Sequence, residues 1–170
     1  AKAQAPRRSS HEVIWIVADT FRQDHLGAYG NPTVRTPSLD DLANRSVRFD
    51  RHYAGGFPTM PTRADHATGR WTMSFMGWEF LPEGAVTLAE LLAGAGFHTA
   101  AMVDTPFYIR GGMNYDKGFQ SFFMHPGQEG SVTRVSGAGW HESRDVRAGW
   151  RHESDCNAPQ TFLRAMEWLE

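Results

Sequence analysis

Short apolar runs alternate with polar and helix-capping segments along the chain up to about residue 124. Residues 13–18 form a continuous apolar run rich in β-branched side chains, which predicts a strand buried on both faces. Residues 98–103 form a second such run, and the weaker alternation of residues 47–53 predicts a further short strand. The alternation of these strands with helices predicts an α/β fold.

Capping signals mark the helices between the predicted strands. Thr36 and Pro37 have the order of an N-cap followed by proline at the first helical position. Thr87 and Glu90 have the spacing of a capping box, and Gly96 predicts the end of that helix. These signals predict helices that begin near residues 37 and 88.

The chain divides into four predicted segments. Residues 1–12 are a polar extension, and residues 13–124 carry the alternating α/β pattern. Residues 125–157 are dominated by Gly, Ser, Glu and Arg without a sustained period, which predicts either an insertion at the rim of an active site or a poorly ordered loop. Residues 158–170 have apolar side chains at helical spacing but no C-cap, so we expect more polypeptide to follow or to be supplied by a second chain.

Composition describes an ordinary globular protein. The formal net charge of −2 gives no electrostatic argument for binding nucleic acid or an acidic membrane surface. Cys156 is the single cysteine, which excludes intrachain disulfides and cysteine-based zinc clusters. No apolar run approaches the roughly 20 residues that a membrane span needs. The polar start lacks the apolar core of a signal peptide, so the cytoplasm is the default location, with the periplasm or secretion open if a signal has been removed.

The stretch from residue 57 to residue 70 carries the most specific chemistry in the chain. Thr59, Pro61 and Arg63 are followed at residues 68–70 by Thr-Gly-Arg. This layout resembles the nucleophile segment of the sulfatase branch of the alkaline-phosphatase superfamily, where Cys or rarely Ser, then x-Pro-x-Arg, precedes Thr-Gly-Arg. Here threonine occupies the first position. Because threonine cannot be oxidised to the formylglycine that sulfatases use, we expect no formylglycine in this protein.

Four further segments strengthen the resemblance because they occur in the family's order. They are the first metal-binding segment at residues 19–30, the helix start at residues 36–40, and the segments at residues 87–96 and 113–119. The similarity extends over residues 13 to about 123. It implies a three-layer sandwich with a mostly parallel central sheet, of which this chain forms the N-terminal part.

The resemblance assigns Thr59 as a covalent nucleophile and Asp19 as a metal ligand at the end of the first strand. A threonine hydroxyl ionises only when activated, and coordination of Thr59 to the same divalent cation would do so. A position near a helix start would add the helix dipole and free backbone N–H groups. Arg63, one helical turn later, would steady the nucleophile or a substrate oxygen. The structural alternatives are an N-cap role for Thr59 and a loop or cap role for Asp19.

Two departures from the family pattern affect the predicted site. Thr20 stands where sulfatases usually have a second Asp, which weakens calcium binding and favours Zn²⁺ or Mn²⁺, with Ca²⁺ still open. The Lys and His that grip sulfate are absent after the strand at residues 98–103, where Asp104 is instead a candidate contact to substrate or metal. Arg22 either orients substrate or pairs with Asp24, and the sequence does not distinguish these roles.

These observations lead to a ranked set of functions. The first is a metal-dependent hydrolase of phosphate monoesters, phosphate diesters or phosphonate esters, because a modified Thr59 must be released by direct attack of water. The second is a sulfatase that works without formylglycine, and the third is an anion-binding protein of the same fold without turnover. The expected partners are a small anionic ester and the remainder of the catalytic domain, with homo-oligomerisation open and nucleic acid not expected.

Overall fold

The computed structural model describes residues 12–105, 109, 111–125 and 149–170. The predicted extension at residues 1–12 and the predicted loop or insertion at residues 125–157 therefore lie largely outside the described residues. The described part divides into two compact units, residues 12–54 and the described residues from Gly55 onward. In the described part, no helix is long and apolar enough to cross a membrane.

Helix α1, Pro37–Asn44, and two short 3₁₀ turns, Gln23–His25 and Gly27–Tyr29, are the regular elements of residues 12–54. Pro37 is at the start of α1 as predicted, although Thr36 makes no side-chain cap to the helix. Instead Thr36 Oγ1 accepts from the Gly27 amide at 2.9 Å. The α1 residue Asp40 accepts from the Ala28 amide at 2.7 Å. The segment at residues 36–40 therefore joins the start of α1 to the Gly27–Tyr29 turn through hydrogen bonds.

Two of the predicted strands do not form in this unit. Residues 13–18 are in no sheet, and the apolar side chains from Val13 to Val17 are 48% to 68% exposed. Residues 47–53 also lack strand pairing. A strand requires a neighbouring strand for its backbone N–H and C=O groups, and the described residues offer none to either segment. The prediction of a buried strand at residues 13–18 is wrong for this structure.

The second unit contains the remaining regular elements. Its helices are α2, Thr59–Thr68, α3, Leu88–Gly94, and α4, Asn157–Leu169. Strands β1, Ala100–Val103, and β2, Ser121–Met124, form a parallel pair in which Val103 is opposite Met124. The first of these strands is the one predicted at residues 98–103, shortened at its start. The second was missed. A parallel pair mixed with helices agrees with the predicted α/β class.

Hydrogen bonds from threonine side chains to backbone carbonyls connect α3 to the parallel pair. Thr87 caps α3 through the predicted capping box with Glu90, and the Thr87 hydroxyl also donates to the Lys117 carbonyl at 2.9 Å. Thr99, just before β1, donates to the Gly118 carbonyl at 2.6 Å. Gly118 has φ of +85° and lies so close to α3 that a Cβ would overlap the Glu90 backbone. The segment at residues 113–119 therefore has a structural role.

The core of this unit lies under α2. It is formed by six side chains, each at most 4% exposed, and they are Met60, Ala64, Met76, Leu81, Met113 and Tyr115. Two of them come from α2 itself. Burial of apolar surface at this density fixes the position of α2 and of the residues at its start.

Candidate active site at the start of helix α2

Thr59 is the first residue of α2, and Pro58 occupies the N-cap position. The first backbone hydrogen bond of the helix runs from the Thr62 amide to the Pro58 carbonyl at 3.2 Å. The amides of Thr59 and Met60 come before it, and a helix offers such amides no carbonyl one turn earlier. Together with the helix dipole, they make the half-buried Thr59 hydroxyl a favourable place for negative charge.

The loop before Thr59 is held against the first turn of α2. The Thr62 hydroxyl lies 2.6 Å from the Gly56 carbonyl oxygen and 3.0 Å from that of Pro58. A Cβ on the buried Gly56 would come within 2.7 Å of the Pro61 carbonyl carbon, so the approach of loop to helix requires glycine here. These contacts position the backbone that carries Thr59.

Asp65 and Thr72 connect the chain that follows α2 back to the first turn of this helix. Asp65 Oδ1 accepts from the Thr72 amide at 2.7 Å and from the Thr72 hydroxyl at 2.6 Å. That hydroxyl also lies 3.1 Å from the Pro61 carbonyl oxygen, and Thr72 is 1% exposed. Sequence reasoning missed this pair, because it joins two ordinary polar residues of different local segments. We assign Asp65 and Thr72 to positioning the start of α2.

The Thr-Gly-Arg sequence at residues 68–70 ends α2. Gly69 adopts φ of +66° and donates its amide to the Asp65 carbonyl at 2.7 Å, as a left-handed C-cap does. Arg70 then leaves the helix, with its guanidinium 5.0 Å from the centre of the Phe75 ring. This part of the motif therefore shapes the helix end and turns the chain into the loop that follows.

Arg63 is one turn after Thr59 on the same helix and is half-buried. This confirms the helical spacing predicted for the two residues. Tyr115 lies beneath this turn, and its hydroxyl donates to the Met60 carbonyl at 3.4 Å. Burial raises the pKa of Tyr115 to about 12, opposed by the positive charge of Arg63 and reinforced by the negative charge of Glu79. Tyr115 is therefore neutral at physiological pH.

Asp19 and Arg22 belong to residues 12–54, so the structure does not place them relative to Thr59. Asp19 is exposed, and the Thr20 hydroxyl donates to its carbonyl at 2.8 Å. Arg22 pairs with Asp24 through two hydrogen bonds of 2.9 and 2.6 Å. Hydrogen bonds from Arg22 and then His25 hold the pKa of Asp24 well below its usual value. Arg22 therefore makes the pairing that was one of its two predicted roles, and its role towards substrate stays a prediction.

Asp104 directly follows β1, and His125 directly follows β2. Because Val103 is opposite Met124, these two residues come next in register at the carboxyl edge of the parallel pair. His125 also lines a cleft of about 500 Å³ between the strands and α4. His125 was not among the predicted site residues, because β2 was not predicted. The sequence signal for this strand is the short apolar run of residues 122–124.

The residues assigned to a metal supply only part of a metal site. In the described ranges, no three or more His, Cys, Asp or Glu side chains form a group that could hold a metal ion. Asp19 and Thr59 are hard oxygen donors of the kind that calcium and magnesium accept, but they fall in separate units. A complete metal site needs further ligands.

Comparison with known proteins decides the family. The family model described as Sulfatase matches residues 11–167 of this chain. The chain belongs to the sulfatase family. Its fold class is therefore the sulfatase domain of the alkaline-phosphatase-like superfamily, as the motifs predicted. The match extends beyond the similarity first found at residues 13–123.

Individual sulfatases resemble the chain at moderate identity. Steryl-sulfatase of Mus musculus is 34% identical over 153 residues, covering 80% of this chain and 23% of the relative. Arylsulfatase A of Bos taurus is 36% identical over 102 residues, covering 54% of this chain and 20% of the relative. The ulvan-active sulfatase of Formosa agariphila is 32% identical over 91 residues, covering 52% of this chain and 18% of the relative. No solved structure matches.

The chain spans about a quarter or less of the length of these curated relatives. Members of the family are ester hydrolases and are generally dependent on calcium or magnesium. This general dependence does not support the preference for zinc or manganese that Thr20 suggested.

Proposed function

We propose that this sulfatase-family hydrolase cleaves sulfuric esters and uses the Thr59 hydroxyl as its nucleophile in place of formylglycine. The observation that carries the proposal is the position of Thr59, at the first residue of a fixed helix within the family's matched region. The relatives named above are sulfatases, so sulfate now ranks above the phosphate esters that the sequence alone placed first.

The proposed reaction has two displacements at sulfur. Thr59 Oγ attacks the sulfur, the bond from sulfur to the organic oxygen breaks, and the alcohol leaves with the proton lost from Thr59. Water then attacks the sulfated threonine, the bond from sulfur to Thr59 Oγ breaks, and hydrogen sulfate leaves while Thr59 regains a proton. The start of α2 and Arg63 offer positive charge to the oxygens that gain negative charge in both steps.

A divalent cation, when bound, would make the Thr59 hydroxyl acidic enough to lose its proton, which it does not do unaided. Asp19 and Thr59 are the residues of this chain that we propose as its ligands, and both offer oxygen atoms. The remaining residues act independently of that cation. Thr62, Asp65 and Thr72 fix the start of α2, and Arg63 holds the substrate's anionic group. Asp104, at the carboxyl edge of the parallel pair, is proposed to contact substrate.

Phosphate monoesters or diesters are the second candidate, and one observation favours them. Threonine cannot form the formylglycine hydrate, which expels sulfate by elimination. Release of the modified Thr59 therefore requires direct attack of water, as in the phosphatase branch of the superfamily. Both candidates use the same nucleophile, so the difference between them lies in the substrate's central atom.

Matched aryl esters separate these candidates. We expect the full-length protein, supplied with calcium or magnesium, to hydrolyse 4-nitrophenyl sulfate faster than 4-nitrophenyl phosphate or bis(4-nitrophenyl) phosphate. Thr59→Ser keeps the hydroxyl and should retain turnover, whereas the isosteric Thr59→Val should lose about 100-fold or more in kcat. Faster turnover of either phosphate ester would reverse the ranking.

A non-catalytic protein of the same fold predicts a different outcome. The parent would then bind metal and sulfate without turning over any of the three esters. Calorimetric titration of the parent with sulfate, alongside the assay, distinguishes this outcome from a protein that has lost its metal. Equal turnover by the parent and Thr59→Val would show that Thr59 is not the nucleophile.

A further inference from the structure

Tyr115 lies beneath the first turn of α2, although it is 55 positions from Met60 in the sequence. Tyr115 is 4% exposed, and its hydroxyl donates to the Met60 carbonyl at 3.4 Å. Met60 directly follows Thr59 in α2 and is 2% exposed. Because both groups are buried, water does not compete for this bond, and the close-packed tyrosine ring limits how far the helix start can move inward.

Arg63 is on the face of α2 that Tyr115 contacts. Met60 and Arg63 are three residues apart, so their side chains are neighbours on the helix surface. The positive charge of Arg63 acts on the Tyr115 hydroxyl, which puts the guanidinium within electrostatic reach of that group. Tyr115 is therefore next to the residue that follows the proposed nucleophile and near the residue proposed to hold the substrate's anionic group.

The segment that presents Tyr115 to α2 is itself fixed. The preceding residue, Asn114, has φ of +66°, a left-handed conformation that asparagine tolerates at some energetic cost. The Asn114 side-chain amide donates to the Leu81 carbonyl at 2.6 Å, and the Leu81 amide donates to the Met113 carbonyl at 3.2 Å. A costly backbone conformation that the surrounding structure holds in place is typical of functional sites.

The length of the bond from Tyr115 to Met60 separates a positioning role from a purely structural one. At 3.4 Å it is longer than the roughly 2.8 Å that is usual for a hydroxyl donor, so it contributes little to the free energy of folding. Catalysis is more sensitive to geometry, because a displacement of about 1 Å can lower a rate about 100-fold. Loss of this hydroxyl should therefore affect turnover more than stability.

We propose that Tyr115 is a positioning residue for the reaction at Thr59. Through the Met60 carbonyl it holds the first turn of α2 and so limits the movement of the Thr59 hydroxyl relative to the bound ester. The inference rests on the proposed function and adds to it a residue that lies outside the nucleophile segment at residues 57–70. Tyr115 acts through the helix backbone and exchanges no proton with the substrate.

The kinetic test compares Tyr115→Phe with Thr87→Val in full-length protein, on whichever of the three aryl esters the parent hydrolyses fastest. Thr87→Val is the matched control, because it also removes a buried hydroxyl that donates to a backbone carbonyl, that of Lys117 at 2.9 Å. We expect Tyr115→Phe to lower kcat about tenfold with KM changed by less than about twofold. Thr87→Val should lower Tm more than Tyr115→Phe does and leave kcat and KM unchanged. An unchanged kcat in Tyr115→Phe, or losses of kcat that follow the losses of Tm in both variants, would overturn the positioning role.

The methyl group of Met60 reports on the helix start without turnover. Carbon-13 labelling of the methionine methyl groups gives an NMR signal for Met60 in the full-length protein, assigned with Met60→Leu. We expect Tyr115→Phe to shift or broaden this signal and Thr87→Val to leave it unchanged. A Met60 signal that does not respond to Tyr115→Phe overturns the positioning role alone. If the parent hydrolyses no ester, the proposed function fails, and the Met60 signal decides whether Tyr115 holds the helix start.

Discussion

Two apolar runs of similar composition have different outcomes in this protein. Residues 100–103 pair in register with residues 121–124 and are half-buried. Residues 13–18 have the stronger strand pattern, yet they form no strand in the part of the chain that the structure describes, and their apolar side chains are largely exposed. The contrast extends to the units, because no residue in 12–54 is fully buried, whereas the second unit has a core.

The difference shows that an apolar run specifies a strand only when other segments supply its hydrogen bonds. The run at residues 100–103 is preceded by Thr99, which bonds to Gly118, and Gly118 packs against α3. These contacts bring β2 alongside β1. Backbone groups without partners leave a strand undefined, whatever its side chains.

The largest effect is expected at Gly118, where the paired region is most crowded. Gly118→Ala places a Cβ onto the Glu90 backbone and also strains a residue with φ of +85°. We expect the free energy of unfolding to fall by about 3 kcal/mol or more. Gly30→Ala is the matched control, because Gly30 has φ of +92° but open space around its Cβ position. Gly30→Ala adds only backbone strain, so we expect its free energy of unfolding to fall by about 1 kcal/mol.

Urea unfolding followed by circular dichroism measures both glycine variants. Equal losses for Gly118→Ala and Gly30→Ala would mean that the contact with α3 contributes nothing.

Alkaline pH should destabilise the buried region through Tyr115. The usual pKa of 10.0 applies to the unfolded chain, and burial raises the pKa to about 12 in the folded protein. The folded state therefore binds more protons between these values, so the stabilisation is complete below pH 10 and is lost as pH rises towards 12. We expect a loss of about 2–3 kcal/mol from this residue.

Tyr115→Phe is the control for the pH prediction, since phenylalanine keeps the ring without the ionising hydroxyl. Unfolding free energies of both proteins should be compared at about pH 9 and about pH 12. Parallel declines in the two proteins would assign the alkaline loss to other groups.

A smaller loss is expected at Thr87, which connects α3 to the segment before β2. Thr87→Val removes the hydroxyl that accepts from the Glu90 amide and donates to the Lys117 carbonyl. We expect a loss of about 1–2 kcal/mol, because Thr87 is 2% exposed and both partners lose a bond. Thr33→Val, an exposed change in residues 12–54, should stay within about 0.5 kcal/mol of the parent in the same urea measurement.

The smallest effect is expected in the exposed run at residues 13–18. Ile16 is 62% exposed, so Ile16→Thr should change the free energy of unfolding by about 0.5 kcal/mol or less. Met102→Thr in β1, which is half-buried, should cost more. Amide hydrogen exchange provides a second measurement, in which residues 13–18 should exchange faster than residues 100–103. A larger loss for Ile16→Thr than for Met102→Thr would show that residues 13–18 are covered in solution.

Local signals in the sequence predicted the helices better than the strands. Proline at the start of α1, the capping box of α3 and the helical spacing of Thr59 and Arg63 are all confirmed. Each depends on residues within one or two turns of each other. The strands at residues 13–18 and 47–53 were predicted and do not form, and β2 was missed, because strand formation depends on residues far along the chain.

The candidate site follows the same division. The sequence by itself determined the family, the position of Thr59 one helical turn before Arg63, and the absence of a formylglycine precursor. Only the tertiary structure decided that Asp65 and Thr72 hold that helix start and that His125 lies opposite Asp104 at the carboxyl edge of the parallel pair. The physical reason is that capping and turn bonds form between near neighbours, whereas packing and strand pairing join residues whose separation carries no local signal.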